Sequence, residues 1–216
     1  LAGLYPFDSL GRLGAAGQGI LRRSVAHWIG QGMGQWSEWG IPWAAILQAR
    51  MGYREAPLAL LELWRAVFVN EGWASVYAPR FRGIIEHGVP GRAPPEIMQL
   101  DGSMGAATAL MEILVHQRQG LTILFPAVPE AWRETRFRGI RIPGPFRVSA
   151  SLKAGRLARA CISSLGGRTL TLASPRSAGL VESGRGGGRV LPFPLTLRFR
   201  PGETRIFTGA GSDSRI

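Results

Sequence analysis

The hydrophobic pattern of this chain changes its period near residue 120, and this change most restricts the folds that the chain can adopt. Before residue 120, apolar residues recur at helical spacing, as in Glu55–Phe68. After it, apolar and polar residues alternate between turns rich in glycine and proline, as in Arg147–Leu152 and Leu157–Ser163. Helices followed by strands, without alternation of the two, indicate an α+β chain of two modules rather than one parallel sheet.

The first module is predicted to contain four helices. They are expected over Ile20–Ile29, Trp39–Met51, Glu55–Phe68 and Gly105–Gln117. Trp39–Met51 is apolar nearly all round, which is typical of a helix in an inner layer. The last helix is predicted to be capped by Asp101 or Ser103. Its predicted buried stripe consists of Leu110, Met111, Leu114 and Val115.

The second module is predicted to be built from short strands. They are expected over Leu121–Phe125, Arg147–Leu152, Leu157–Ser163, Thr169–Ala173, Leu195–Phe199 and Thr204–Thr208. The last two are predicted to form a hairpin around Pro201 and Gly202. The GRGGGR segment, residues 184–189, is predicted to be an exposed loop. The expected domains are therefore 1–120, 121–209 and a disordered tail over 210–216.

Composition argues against several classes of partner. The net charge is +12, but Lys153 is the only lysine and the arginines are dispersed, so we expect no nucleic-acid partner. No run of about 18 apolar residues occurs, so we expect no membrane partner. The single Cys161 excludes an internal disulfide, and the three histidines have no ligand spacing. We therefore predict no metal site and no cofactor.

Three carboxylates, two of them beside tryptophans, are the candidates for chemistry. Glu38 lies in WSEW, Glu71 in NEGW, and Asp101 in QLDG before the fourth predicted helix. Sugar hydrolysis needs carboxyl groups for proton transfer and aromatic faces that pack against the ring. A simpler interpretation is also open for each residue, since an acidic side chain at the start of a helix is stabilised by the helix dipole.

Residues 95–132, PEIMQLDGSMGAATALMEILVHQRQGLTILFPAVPEAW, resemble glycoside hydrolase family 95, the α-L-fucosidase family. In that family a Q-x-D-G-N-x-G turn leads into a helix, and an LLPALP..W segment follows. The matching residues are Gln99, Asp101, Gly102, Gly105, Leu124, Pro126, Ala127, Pro129 and Trp132. Weaker similarity, in LYP (4–6), GQWSEW (34–39) and residues 152–167, extends the resemblance over about residues 1–175.

The resemblance implies that residues 1–120 are the C-terminal helices of an (α/α)6 toroid, followed by an antiparallel β-sandwich. It implies inverting acid/base hydrolysis of terminal, α-L-fucoside-like sugars in an oligosaccharide or glycan, with Asp101 assisting water activation. Trp36, Trp39, Glu71 and Gln99 are the candidates for contacting the substrate.

The family's acid glutamate lies upstream, so this chain alone is expected to be inactive. It is expected to need the missing N-terminal part of the same polypeptide as its partner. The full-length parent is expected to be secreted or periplasmic.

Three residues depart from the family pattern. Ser103 replaces an asparagine, Met104 a phenylalanine, and Pro95 a sugar-contacting histidine. Another α- or β-linked sugar is therefore an open alternative to fucose. The alternative function is a non-catalytic carbohydrate-binding or scaffold module, in which Asp101 only caps a helix.

Overall fold

The structure, a computed structural model, describes residues 1–9, 14–80, 97–183 and 188–211. The chain divides into two compact units, residues 1–113 and 114–216. The division precedes the expected position at residue 120, because a strand begins at Val115, directly after the last helix. In the part of the chain that is described, no helix is both long and apolar enough to cross a membrane.

The first unit is helical. Its described residues form α1 (Gly14–Gly30), α2 (Gly40–Arg50), α3 (Glu55–Phe68) and α4 (Leu100–Leu114). The predicted positions of the first three helices are confirmed, and α3 has the predicted bounds. The membership of these helices in a toroid stays a prediction.

The helix α2 lies in the core of the first unit. Seven of its eleven residues are buried, including Ile41 and Ile46 on different sides. One cluster of buried residues consists of Trp36, Ile41, Ala44, Val67 and Phe68, and a second consists of Leu4, Leu21, Val25 and Leu47. Because α2 contributes to both clusters, its apolar surface is covered nearly all round, as its sequence predicts.

The predicted cap of α4 is wrong, and so is most of its predicted buried stripe, of which Val115 alone is buried, in β1. The helix begins at Leu100, so Asp101 and Ser103 lie inside its first turn rather than before it. Leu110 and Met111 are more than two-fifths exposed. The buried stripe instead consists of Gly102, Gly105, Ala106, Ala109, Glu112 and Ile113. The physical reason is close packing at the start of the helix, where Gly102 and Gly105 let the backbone of α4 approach its neighbours.

The second unit contains two β-sheets whose strands are mostly antiparallel. The strands are β1 (Val115–Arg118), β2 (Leu121–Leu124), β3 (Arg136–Ile142), β4 (Phe146–Lys153), β5 (Arg156–Ser164), β6 (Thr169–Ala173), β7 (Gly179–Glu182), β8 (Val190–Pro192), β9 (Leu195–Arg198) and β10 (Thr204–Gly209). The four-stranded sheet has the order β1-β2-β6-β9, and the six-stranded sheet has the order β3-β4-β5-β10-β7-β8. The β2–β6 pair is parallel.

The sheets form a β-sandwich-like unit with one buried face each. Burial alternates along β4 and β5, which buries Val148, Ala150 and Ile162 and leaves their neighbours outside. Phe125 and Phe137 meet edge to face with centroids 5.3 Å apart. The turn at Ala154 and Gly155 has positive φ angles of 51° and 76°, as the tight hairpin connection between β4 and β5 requires.

The predicted hairpin near the end of the chain is wrong. β9 pairs with β6, whereas β10 pairs with β5 and β7 in the other sheet. Phe199, at the end of β9, packs edge to face on Phe146 of β4, with centroids 5.5 Å apart. The chain therefore crosses between sheets at Pro201 and Gly202. Residues 184–187 of the predicted loop and 212–216 of the predicted tail lie outside the described residues.

Candidate functional site

A short backbone bridge positions the segment that leads into α4. Val76 and Met98 form an isolated antiparallel bridge, and the main-chain N–H of Gln99 donates to the carbonyl of Ser75 at 2.8 Å. The buried Ser75 hydroxyl donates to the carbonyl of Gln99 and lies 2.7 Å from the Ser103 hydroxyl. These bonds fix the backbone on both sides of Asp101.

Two glycines allow the first turns of α4 to contact the turn before α2. A Cβ at Gly102 would lie 2.7 Å from Cγ of Glu38. A Cβ at Gly105 would lie 2.5 Å from Cζ3 of the Trp39 ring and 3.1 Å from Cβ of Pro42. The separations of 2.7 Å and 2.5 Å are shorter than real Cβ contacts. Gly102 and Gly105 are thus needed here for close packing within the protein.

This packing brings the carboxyl groups of Glu38 and Asp101 into contact. Glu38 is fully buried, whereas Asp101 is exposed at the N-terminal turn of α4. Their side chains share a hydrogen bond, which requires a proton because two carboxylates have no donor between them. The site is therefore a pair of unlike carboxyl groups, one in the protein interior and one facing solvent.

Gln99 joins the two carboxyl groups. With its amide nitrogen facing them, Gln99 donates to both carboxyl oxygens of Glu38, at 3.0 Å to Oε2, and to Oδ1 of Asp101 at 3.2 Å. The opposite amide orientation would place its oxygen against acceptors only. The predicted site residues Gln99 and Asp101 are thus brought together, with Glu38 as a third member.

Burial raises the pKa of Glu38 to about 7, and the hydrogen bond with Asp101 is the second cause. The nearby charge of Asp101 raises the pKa further. Hydrogen bonds donated by the main-chain N–H groups of Glu38 and Trp39 oppose the shift. A buried carboxyl group with this pKa is mostly protonated in mildly acidic solution, so it can act as a hydrogen-bond donor.

The other predicted contact residues lie in different surroundings. Trp36 is 9% exposed and stacks on Trp28, with ring centroids 4.2 Å apart. Trp39 is half-buried against Gly105. The Glu71 side chain is 95% exposed and pairs with Arg80 at 3.5 Å. The substrate contacts of all three residues stay predictions.

A second buried carboxylate in this unit has a structural environment. Glu112 of α4 accepts two hydrogen bonds from Arg50 of α2, both at 2.9 Å. Arg50 also donates to the carbonyl of Leu4 and stacks over the Tyr5 ring at 4.8 Å. This pair therefore joins the N-terminal segment, α2 and α4. Across the described ranges, no group of three histidine, cysteine or acidic side chains is arranged to hold a metal ion.

Comparison with known proteins finds a similarity for part of the second unit. Residues 117–189, about a third of the chain, match the family model described as glycoside hydrolase family 95, C-terminal domain. Asp101, Gln99 and Glu38 lie outside the matched residues. A search of curated proteins finds no match to this chain. The resemblance noted in the sequence is confirmed to this extent: residues 117–189, in the second unit, are similar to the C-terminal domain of glycoside hydrolase family 95.

Proposed function

We propose that this chain is part of a glycoside hydrolase that cleaves terminal, α-L-fucoside-like sugars with inversion, and that Asp101 assists the attacking water. The family match of residues 117–189 supports the enzyme class. The observation that carries the assignment of the site is the contact between the exposed Asp101 carboxylate and the buried Glu38 carboxyl group. This contact gives Asp101 a fixed partner while leaving it open to solvent and substrate.

Glu38 itself does not fit the role of the general acid. In inverting glycosidases the acid and the base are about 6.5–9.5 Å apart, because a water and the sugar lie between them. Glu38 and Asp101 are in hydrogen-bond contact, so no substrate fits between the two groups. We therefore propose that a carboxyl group other than Glu38 protonates the leaving oxygen, and the family resemblance implies that this group is the acid glutamate expected upstream.

The surroundings of Asp101 suit a group that holds a negative charge. It lies in the first turn of α4, where the helix dipole stabilises an anion. The Gln99 amide donates to it from one side. The half-buried ring of Trp39 packs against Gly105, one turn further along α4, and supplies an aromatic surface near this turn.

Hydrolysis of aryl α-L-fucosides and aryl galactosides by the protein that contains this chain tests the proposal. Asp101→Asn is expected to lower kcat by about 100-fold or more, the usual contribution of a proton-transfer group. NMR of the released sugar should show the inverted anomer first. Glu62→Gln, which removes an exposed negative charge on α3, is the matched control. Unchanged turnover in folded Asp101→Asn protein would contradict the proposal and favour the carbohydrate-binding or scaffold alternative.

A further inference from the structure

We propose that Glu38 is a positioning residue. Its protonated carboxyl group donates a hydrogen bond to Asp101 and so fixes the Asp101 carboxylate at the start of α4. This inference rests on the proposed function, because it assigns Glu38 a role through Asp101. Glu38 comes from the turn before α2, more than sixty residues earlier in the chain.

The unequal exposure of the two groups determines where the proton resides. Glu38 is 0% exposed, whereas Asp101 is exposed at the helix terminus. A buried charge loses its hydration, and an exposed one keeps it, so the shared proton belongs on Glu38 and the negative charge on Asp101. Glu38 is therefore the donor and Asp101 the acceptor.

The groups that contact the Glu38 carboxyl are donors, so its hydroxyl group points to Asp101. The Gln99 amide and the main-chain N–H groups of Glu38 and Trp39 are all donors, so they occupy the acceptor positions of the carboxyl group. From α3, the Trp64 indole nitrogen lies 3.4 Å from the Cβ position of Gly102 and makes no hydrogen bond within the part of the chain that is described. Asp101 supplies an acceptor, so it receives the hydrogen bond that the protonated Glu38 carboxyl group donates.

The backbone of α4 prevents Glu38 from moving away. Its Cγ and Cβ atoms lie 2.7 Å and 3.4 Å from the Cβ position of Gly102. The side chain therefore fills the space against the first turn of the helix. Glu38 therefore cannot move, whereas the exposed Asp101 side chain could rotate toward solvent. The hydrogen bond from Glu38 holds Asp101 in place.

Loss of the shared proton reverses the interaction. When Glu38 ionises, two adjacent negative charges repel each other, and the exposed Asp101 side chain is the one that can leave. Its correct orientation is then lost even though the residue is still present. A displacement of about 1 Å at a reacting group can lower the rate by about 100-fold. The positioning of Asp101 is thus expected to weaken as pH rises through neutrality.

The pH profile of kcat/KM in Glu38 variants tests this role. Glu38→Gln keeps an acceptor for Gln99 and a donor for Asp101 but cannot ionise, so we expect near wild-type activity at low pH and loss of the alkaline limb near pH 7. Glu38→Ala removes the donor, and we expect kcat to fall by about 100-fold with little change in KM. A Glu38→Gln profile that keeps the wild-type alkaline limb would overturn the inference.

A second measurement does not depend on activity. Carbon-13 NMR of labelled glutamate carboxyl groups gives the pKa of Glu38 in the wild type and in Asp101→Asn. We expect the pKa to fall by at least about 1 unit when the charge of Asp101 is removed. An unchanged value would overturn the inference. If the shift occurs but Asp101→Asn stays active, the proposed function fails while the Glu38–Asp101 contact stands, so the two failures are distinguishable.

Discussion

Glu38 lies against Gly102 so closely that its Cγ is 2.7 Å from the position where any side chain at residue 102 would place its Cβ. The conformation of the Glu38–Asp101 pair therefore depends on a third residue, Gly102. The turn before α2 and the first turn of α4 are thus fitted to each other, and the contact can be examined by substitution.

Gly102→Ala is expected to destabilise the helical unit by about 1–3 kcal/mol, because the added methyl group overlaps Glu38. Alanine's higher helix propensity, about 0.5–1 kcal/mol, offsets only part of this cost. Urea unfolding followed by tryptophan fluorescence measures the change, since six of the seven tryptophans lie in residues 1–113. Gly30→Ala, where a Cβ meets nothing within 4 Å, should stay near wild type. Equal stabilities of the two variants would contradict the packing described for Gly102.

The stability of the protein is expected to fall as pH rises from about 5 to above 7. The pKa of Glu38 is raised from 4.5 to about 7, so the folded state binds more protons than the unfolded state in this window. The loss contributed by Glu38 should be roughly 2–3 kcal/mol. Glu38→Gln should remove this part of the pH dependence, and Glu62→Gln should keep it. A Glu38→Gln protein with the same pH slope as the wild type would show that Glu38 titrates normally.

Glu112→Gln is expected to destabilise the helical unit by about 3–5 kcal/mol, because it leaves the charge of Arg50 buried without its carboxylate. The two side chains are only 9% and 10% exposed. Thermal unfolding measures the effect. The double variant Arg50→Met with Glu112→Leu should recover much of the loss, since it removes both charges.

The control for this pair is on the surface of α3. Glu62 and Arg65 form an ion pair whose side chains are 59% and 57% exposed. Glu62→Gln should change stability by less than about 0.5 kcal/mol. Equal effects at Glu112 and Glu62 would mean that the buried pair contributes no more than an exposed one.

Arg205→Lys is expected to weaken the six-stranded sheet by about 1–2 kcal/mol. Arg205 donates two hydrogen bonds of 2.6 Å to Glu182 and lies over the rings of Phe199 and Phe207 at 5.4 and 5.3 Å. A lysine has no planar guanidinium group, so it can neither donate these two parallel hydrogen bonds nor stack flat on the rings. Hydrogen exchange of the β10 amides should become faster. Arg138→Lys, at an exposed position of β3, should not change it, and equal protection in both variants would refute the role of Arg205.

The sequence predicts local structure well where one face is buried against the rest of its own unit. The amphipathic period of α3 predicts both of its ends, and the alternation in β4 and β5 predicts the strands and the turn at Ala154 and Gly155. The sequence predicts no strand at β1, β3, β7 or β8; at β3, arginines and Gly139 interrupt the alternation. The hairpin of β9 and β10 was wrong, because a Pro-Gly turn signal does not distinguish a hairpin from a crossing between two sheets.

The candidate site was predictable only in part. The resemblance to the family predicts Asp101 and Gln99, and the WSEW segment draws attention to Glu38, but no local pattern predicts that Glu38 and Asp101 touch. One signal was present in Gly102 and Gly105, whose spacing, continued by alanines, indicates a helix face that closely approaches another element. Such a face shows that packing is close without identifying which residues it meets.

The parallel pair of β2 and β6 has a consequence for synthesis of the chain. β2 leaves the ribosome long before β6, and the whole of β3, β4 and β5 must emerge between them. At the usual rate of translation, β2 waits for seconds with β1 as its available neighbour. Its other edge, Leu121–Leu124, is exposed to other nascent chains during that time. Crowded polysomes and slow codons over residues 125–168 should therefore favour aggregation, and chaperones that cover strand edges should raise the yield.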